Sequence, residues 1–194
     1  LAHHPIRNEA LLWLGRAYTK NKQFSEAQSL LTILEEDKIF PDRLRDDLYF
    51  ALAELHFEQG NNLSAIEPLE KAIKEDAIQS KMKNRASYLL AQLHAQDGDI
   101  IKSNKYFNEA LKAKLPLEME YFTKLNLAQN AIQGKGNKAQ AKSLLESLAT
   151  NDKFDKWRAQ SYLTLGQILQ EDNPEEAIKS FDKSLTSEKN RTVR

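Results

Sequence analysis

The chain has 194 residues, 41% hydrophobic and 29% charged, with 28 basic and 28 acidic side chains and a pI near 7.1. This is the composition of a mostly helical chain with ample polar surface, and its zero net charge offers no basic excess to neutralise phosphates, arguing against sequence-independent nucleic-acid binding. The absence of cysteine removes disulfides, thiolate metal sites and catalytic thiols, and no apolar run approaches the roughly 18–20 residues of a membrane span.

Leu1-Ala2-His3-His4-Pro5 does not read as a signal peptide. From Asn8 onward, Leu11, Leu14-Gly15 and Tyr18 share one helical face, and Ala27, Leu30, Leu31 and Leu34 share a second after the polar turn Asn21-Lys22. The arrangement returns about every 38 residues. Next come Tyr49, Leu52-Ala53, the turn Gly60-Asn61-Asn62, then Ala65, Leu69 and Ala72. Leu90-Ala91, Asp97-Gly98-Asp99, Ser103, Phe107 and Ala110 follow. The fourth copy has Leu127-Ala128, Gly134-Lys135-Gly136-Asn137, Ala141, Leu145 and Leu148. The fifth has Tyr162, Leu165-Gly166, Leu169, Asp172-Asn173-Pro174, Ala177 and Phe181.

A period in this range predicts stacked helical pairs instead of a globule with a central cleft. The expected fold is all-α: a right-handed solenoid of five helix-turn-helix repeats with about ten helices, in one domain over 1–194. The repeats fall near 8–45, 46–83, 84–120, 121–158 and 159–191. Small residues recur where paired helices must approach closely: Gly15, Ala53, Ala91, Ala128 and Gly166 on first helices, Ala27, Ala65, Ser103, Ala141 and Ala177 on second helices. Asn173, Pro174, Glu175 and Glu176 make the sharpest helix start, as cap, first helical residue and acidic first turn. Pro41 and Pro116 each suit a first helical position. Pro68 is the misfit, expected to remove a hydrogen bond and bend its helix on the solvent side. The N-terminal helix is expected to expose Leu11 and Leu12 to a preceding repeat or a partner, as in a piece of a longer stack.

The recurring pattern resembles the tetratricopeptide (TPR) signature W-x2-L-G-x2-Y followed by A-x3-F. The tryptophan position reads Leu11, Tyr49, Ser87, Lys124 and Tyr162, and the tyrosine position Tyr18, His56, His94, Ala131 and Leu169. About four residues beyond the usual 34 fall at the junctions 38–45, 77–83, 114–120 and 153–158, where longer helices would take them up. Within that family, Phe40-Pro41-Asp42-Arg43-Leu44-Arg45-Asp46-Asp47-Leu48-Tyr49, Ala65-Ile66-Glu67-Pro68-Leu69-Glu70-Lys71-Ala72-Ile73, Leu90-Ala91-Gln92-Leu93 and Leu117-Glu118-Met119-Glu120-Tyr121-Phe122 resemble the TPR lipoprotein of the Bacteroidota type IX secretion and gliding-motility apparatus. The resemblance implies a scaffold on the periplasmic side of the outer membrane, within a larger complex, its lipid anchor outside this chain. A cytoplasmic location remains an alternative.

First helices of TPR pairs line a concave groove. The groove positions here are Leu12, Phe50, Tyr88, Leu125 and Leu163, with Arg16, Glu54, Gln92, Gln129 and Gln167 one turn further on, and Phe57 and Phe122 as added aromatics. An apolar stripe beside amides suits a protein or peptide partner; equally, the stripe packs neighbouring helices. Phe50, Phe57, Tyr88 and Phe122 are the best contact candidates, because aromatics dominate binding hot spots. The positive groove that holds a C-terminal carboxylate in chaperone-binding TPRs is missing, with only Arg16 and Arg85 nearby.

His56 and His94, at equivalent positions, read as packing residues more than as a metal pair, having no third ligand. Lys81, Lys83 and Arg85, opposed by Glu75 and Asp76, read as a solvated charge cluster. Trp13 points away from the expected core. No phosphate-binding loop, nucleophile elbow or metalloprotease motif occurs, so neither an enzyme nor a cofactor is expected. Two other readings are the ligand- or peptide-sensing TPR segment of a signalling enzyme and a TPR lipoprotein of outer-membrane protein assembly.

Overall fold

A computed structural model describes residues 6–74, 80–131 and 137–192, and among these the chain forms ten α-helices and no strand. Two compact units divide it. The first, Leu1–Gly98, holds α1 (Arg7–Lys20), α2 (Phe24–Glu36), α3 (Arg45–Glu58), α4 (Ile66–Ala72) and α5 (Ser80–Gln96). The second, Asp99–Arg194, holds α6 (Ile100–Ala110), α7 (Leu117–Asn130), α8 (Lys138–Thr150), α9 (Arg158–Leu169) and α10 (Pro174–Thr192).

In the first unit α1 packs on α2 and α3, α2 on α3, α3 on α4, and α4 on α5. In the second, α6 meets α7, α7 meets α8 and α9, α8 meets α9, and α9 pairs with α10. In each unit a third helix therefore closes over a pair, α3 over α1 and α2 and α9 over α7 and α8, which is how amphipathic hairpins bury faces that no single hairpin can cover. One core gathers Leu12, Leu31, Leu34, Leu48, Leu52 and Leu55; the other gathers Tyr121, Leu125, Leu145, Leu148, Phe154 and Leu165.

The small-residue positions are where helices touch. All ten are buried. A Cβ on Gly15 would stand 2.7 Å from Leu31 Cδ2, and one on Gly166 would stand 2.5 Å from Phe181 Cε1.

Turn chemistry follows the repeat. After α1 and α3 the chain closes with paired carbonyl bonds: Gln23 N–H to Tyr18 at 2.9 Å, and Asn61 N–H to His56 at 2.9 Å. The residue that swings left-handed in each is Lys22 (φ 60°) and Gly60 (φ 77°). Asn173 caps α10 as expected: its Oδ1 accepts from Glu176 N–H at 3.2 Å, while its Nδ2 donates to Glu176 Oε2 at 3.1 Å. Asp99 and Asn137 cap α6 and α8 by accepting from the backbone N–H of Lys102 and Gln140.

Several expectations need correction. Pro68 is the third residue of α4, because a 3-10 turn over Asn62–Ala65 delays the α-helix. It is buried, and a first-turn position leaves the missing N–H harmless, so the expected solvent-side bend has no cause. Pro41 sits one residue ahead of the 3-10 turn Asp42–Leu44 and Pro116 one residue ahead of α7, both in extended backbone (ψ 127° and 145°) at the cap position. The junction residues at 38–45 and 153–158 fold into 3-10 turns, Asp42–Leu44 and Asp152–Trp157, instead of longer helices. Leu12 is buried at 2% exposure while Leu14 is 41% exposed, the reverse of the expected order on α1. Part of the junction at 77–83, the turn at Gly134-Lys135-Gly136 and the residues before Ile6 lie outside the described residues.

Candidate protein-interaction surface

In the first unit, α1 and α3 lie side by side and present a charged seam. Arg16 reaches Glu54 at 3.6 Å and Asp47 at 3.9 Å. Lys20 reaches Glu54 at 2.8 Å and Glu58 at 2.9 Å. These carboxylate hydrogen bonds raise the Lys20 pKa above the ordinary lysine value. Burial, with Asp46 beside it, raises that of Asp47. Arg16 also lies over the indole of Trp13, 5.2 Å from its centroid, and Trp13 is 61% exposed. Phe50, Glu54 and Phe57 follow one another along one face of α3, each half-buried. On α5, Gln92 Nε2 donates to Tyr88 Oη at 3.2 Å; Gln92 is exposed and Tyr88 half-buried.

The same pairing of charges one repeat apart recurs on second helices. Lys71 bonds Glu35 at 2.9 Å, and Lys142 bonds Glu176 at 2.8 Å. Lys138 joins Asp172 at 3.0 Å. Glu120 is held by Lys124 (2.8 Å) and Lys153 (2.6 Å). Burial opposes ionisation of Glu120, but these two ammonium hydrogen bonds outweigh it and lower its pKa.

The second unit places its groove candidates differently. Leu125 is core, 4% exposed, as Leu12 is in the first unit; both lie beneath the surface and leave the set of accessible contact residues. The cause is that a helix gripped by neighbours on two sides buries a broader stripe than a two-helix pairing predicts. Phe122 is half-buried in an aromatic cluster, 5.2 Å edge-on to Tyr121 and 6.0 Å from Trp157. Tyr121 stacks on Trp157 at 4.8 Å, and its hydroxyl donates to the Trp157 carbonyl at 3.0 Å and meets Ser161 Oγ at 3.1 Å. Gln129 is half-buried; Leu163 and Gln167 are exposed on α9.

The remaining candidates have structural roles or lie outside the description. His94 is buried, with Nε2 3.2 Å from Glu70 Oε1, and His56 is half-buried. Among the described residues no group of three His, Asp or Glu side chains is placed to hold a metal. Glu75, Asp76 and the Lys81 side chain lie outside the described residues; Lys83 is half-buried and Arg85 exposed. The ion-pair seam and the Tyr121 cluster were missed by sequence reasoning. A search for opposite charges spaced by one repeat, as Lys20–Glu58 and Glu35–Lys71 are, would have found the seam.

Residues 50–116 match one tetratricopeptide repeat family model, and residues 9–37 match another. No curated protein sequence matches the chain. Among solved structures, nearly identical TPR-like repeats of a Podosopora anserina kinesin light chain candidate are 19% identical, with 97% of this chain and 98% of that one covered and a TM-score of 0.64. MamA is 15% identical over 93% and 97% of the two chains, TM-score 0.64. BtubC from P. vanneervenii is 20% identical over 99% and 84%, TM-score 0.59. Residues 9–37 and 50–116 are therefore tetratricopeptide repeats, in a chain with the fold of TPR-like repeat proteins.

Proposed function

We propose that this chain is a non-catalytic protein-interaction scaffold whose contact surface centres on α1, α3 and α5. The observation that carries the reading is the grouping of Phe50 and Phe57 around Glu54, beside the Arg16 and Lys20 seam. Half-buried aromatics next to fixed charges supply apolar anchors and orientation for a peptide or helix. On α5, Tyr88 and Gln92 place an aromatic ring beside an amide at the repeat positions of Phe50 and Glu54.

The finer reading places the scaffold on the periplasmic side of the outer membrane, in a type IX secretion and gliding machine. Its support is the sequence resemblance of the 40–49 and 117–122 stretches. Cross-linking in the native host tests it. Capture of secretion-translocon components supports the assignment; recovery of cytosolic proteins alone overturns it. Phe50→Ala with Phe57→Ala tests the surface itself. Loss of the captured partner with unchanged melting supports the contact role, whereas loss of folding assigns both rings to the core.

A further inference from the structure

The outer face of α1 is an apolar stripe: Ile6, Ala10, Trp13, Leu14 and Ala17 are all exposed. Aligned on Gly15 and Ala53, their counterparts around α3 are Leu44, Leu48, Ala51, Leu52 and Leu55, and every one is buried. The α3 set is covered because α1 and α2 pack on it. The α1 stripe is thus the receiving half of an inter-repeat contact. α10 carries a donating half. Ile178 and Leu185 are 60% and 65% exposed, whereas their counterparts on α8, Lys142 and Ala149, are half-buried and buried.

Three of the contacts between neighbouring repeats within the chain guide how two such halves meet: Lys20–Glu58, Glu35–Lys71 at 2.9 Å, and Asn130 Nδ2 to Asn104 Oδ1 at 2.7 Å. Carried by repeat register to the last repeat of one molecule and the first of another, they become Glu171 against Lys20, Leu185 against Ile33, and Ile178 against Ala17. Each transposed pair is chemically matched: one opposite-charge pair and two apolar pairs. Ile33, like Leu185, is exposed, at 63%.

We propose that the α1–α2 end takes the α9–α10 end of a second copy, giving head-to-tail association through this register. The two faces differ, so the contact is heterologous and each added copy leaves a free end.

Sedimentation equilibrium of the chain over a wide concentration range tests this, with Leu185→Glu, Ile33→Lys and the double variant. The wild-type mass should rise with concentration beyond a dimer. Each single variant, placing a charge against an apolar residue, should weaken association by about tenfold or more. The double variant should restore it, because it re-creates the Glu35–Lys71 pair at the same register. Both positions are exposed, and circular dichroism will show whether the variants stay folded. A wild-type chain that stays monomeric overturns the proposal and leaves the α1 face to another helical hairpin. Association that the single variants do not weaken, or that the double variant does not restore, overturns it as well.

Discussion

Gly166 on α9 and Phe181 on α10 are in contact so close that no Cβ fits between them: three ring atoms would stand 2.5, 2.7 and 2.8 Å from it. An alanine there gains helix propensity of about 1 kcal/mol. It meets an overpacking cost of about 1–3 kcal/mol, at the upper end because a rigid ring must move. Gly166→Ala should therefore lose about 2 kcal/mol in urea unfolding. Adding Phe181→Leu should recover part of the loss. Gly15→Ala, which meets Leu31 Cδ2 and Cγ at 2.7 and 3.0 Å instead of three ring atoms, should cost less.

Lys22 occupies the left-handed position that Gly60 fills in the next turn. A side chain there carries a penalty of roughly 1 kcal/mol that glycine avoids. Lys22→Gly should raise stability by a few tenths to about 1 kcal/mol, and Gly60→Ala should lower it by about 1 kcal/mol. Thermal unfolding of the two variants reads opposite shifts.

The Tyr121 hydroxyl donates to the Trp157 carbonyl while its ring stacks on Trp157. Tyr121→Phe keeps the stack and should cost about 1 kcal/mol. Tyr121→Ala removes both and should cost about 3–5 kcal/mol. A similar loss for the two variants would show that the hydroxyl, not the ring, holds this corner.

Glu120 has its pKa lowered by Lys124 and Lys153, against the effect of burial. Its stabilisation is fully present above the ordinary glutamate value and disappears as pH falls through the lower, folded value. The wild-type chain should lose stability over that acid range more steeply than Glu120→Gln. Parallel pH–stability curves for the two proteins would count against the pairing.

Pro68 stands in the first turn of α4, so Pro68→Ala should change stability by less than about 1 kcal/mol. A large gain in helicity would mean that the 3-10 turn ahead of it is held open by the proline.

The paired helices and their tight crossings were legible in the sequence, because Gly15, Ala53, Ala91, Ala128 and Gly166 recur with the period of the fold. The burial order on α1 was not. Leu14 and Leu52 hold the same repeat position, yet Leu52 is 4% exposed and Leu14 41%, since α1 and α2 pack on α3 and cover Leu52. Local pattern sets which side chains are apolar; neighbours decide which are covered. The same limit applied to the candidate surface. Leu125 shares its repeat position with Phe50 and Tyr88 yet is core, and Trp157, arriving from a later 3-10 turn, packs against the half-buried Phe122. Pro68 looked disruptive because a helix running straight from the Gly60-Asn61-Asn62 turn would hold it in its interior, and the intervening 3-10 turn has no strong sequence mark.

The seam between α1 and α3 also gives the repeats an order. Arg16 and Lys20 find carboxylates on α3 because Glu54 and Glu58 occupy the matching positions. The corresponding positions on α5 hold Gln92 and Gln96. Excising the second repeat would bring cations against neutral amides, and the join would lose the charge matching that the native neighbours have. The first hairpin is thus not an interchangeable part: it carries a charge match to the one that follows it.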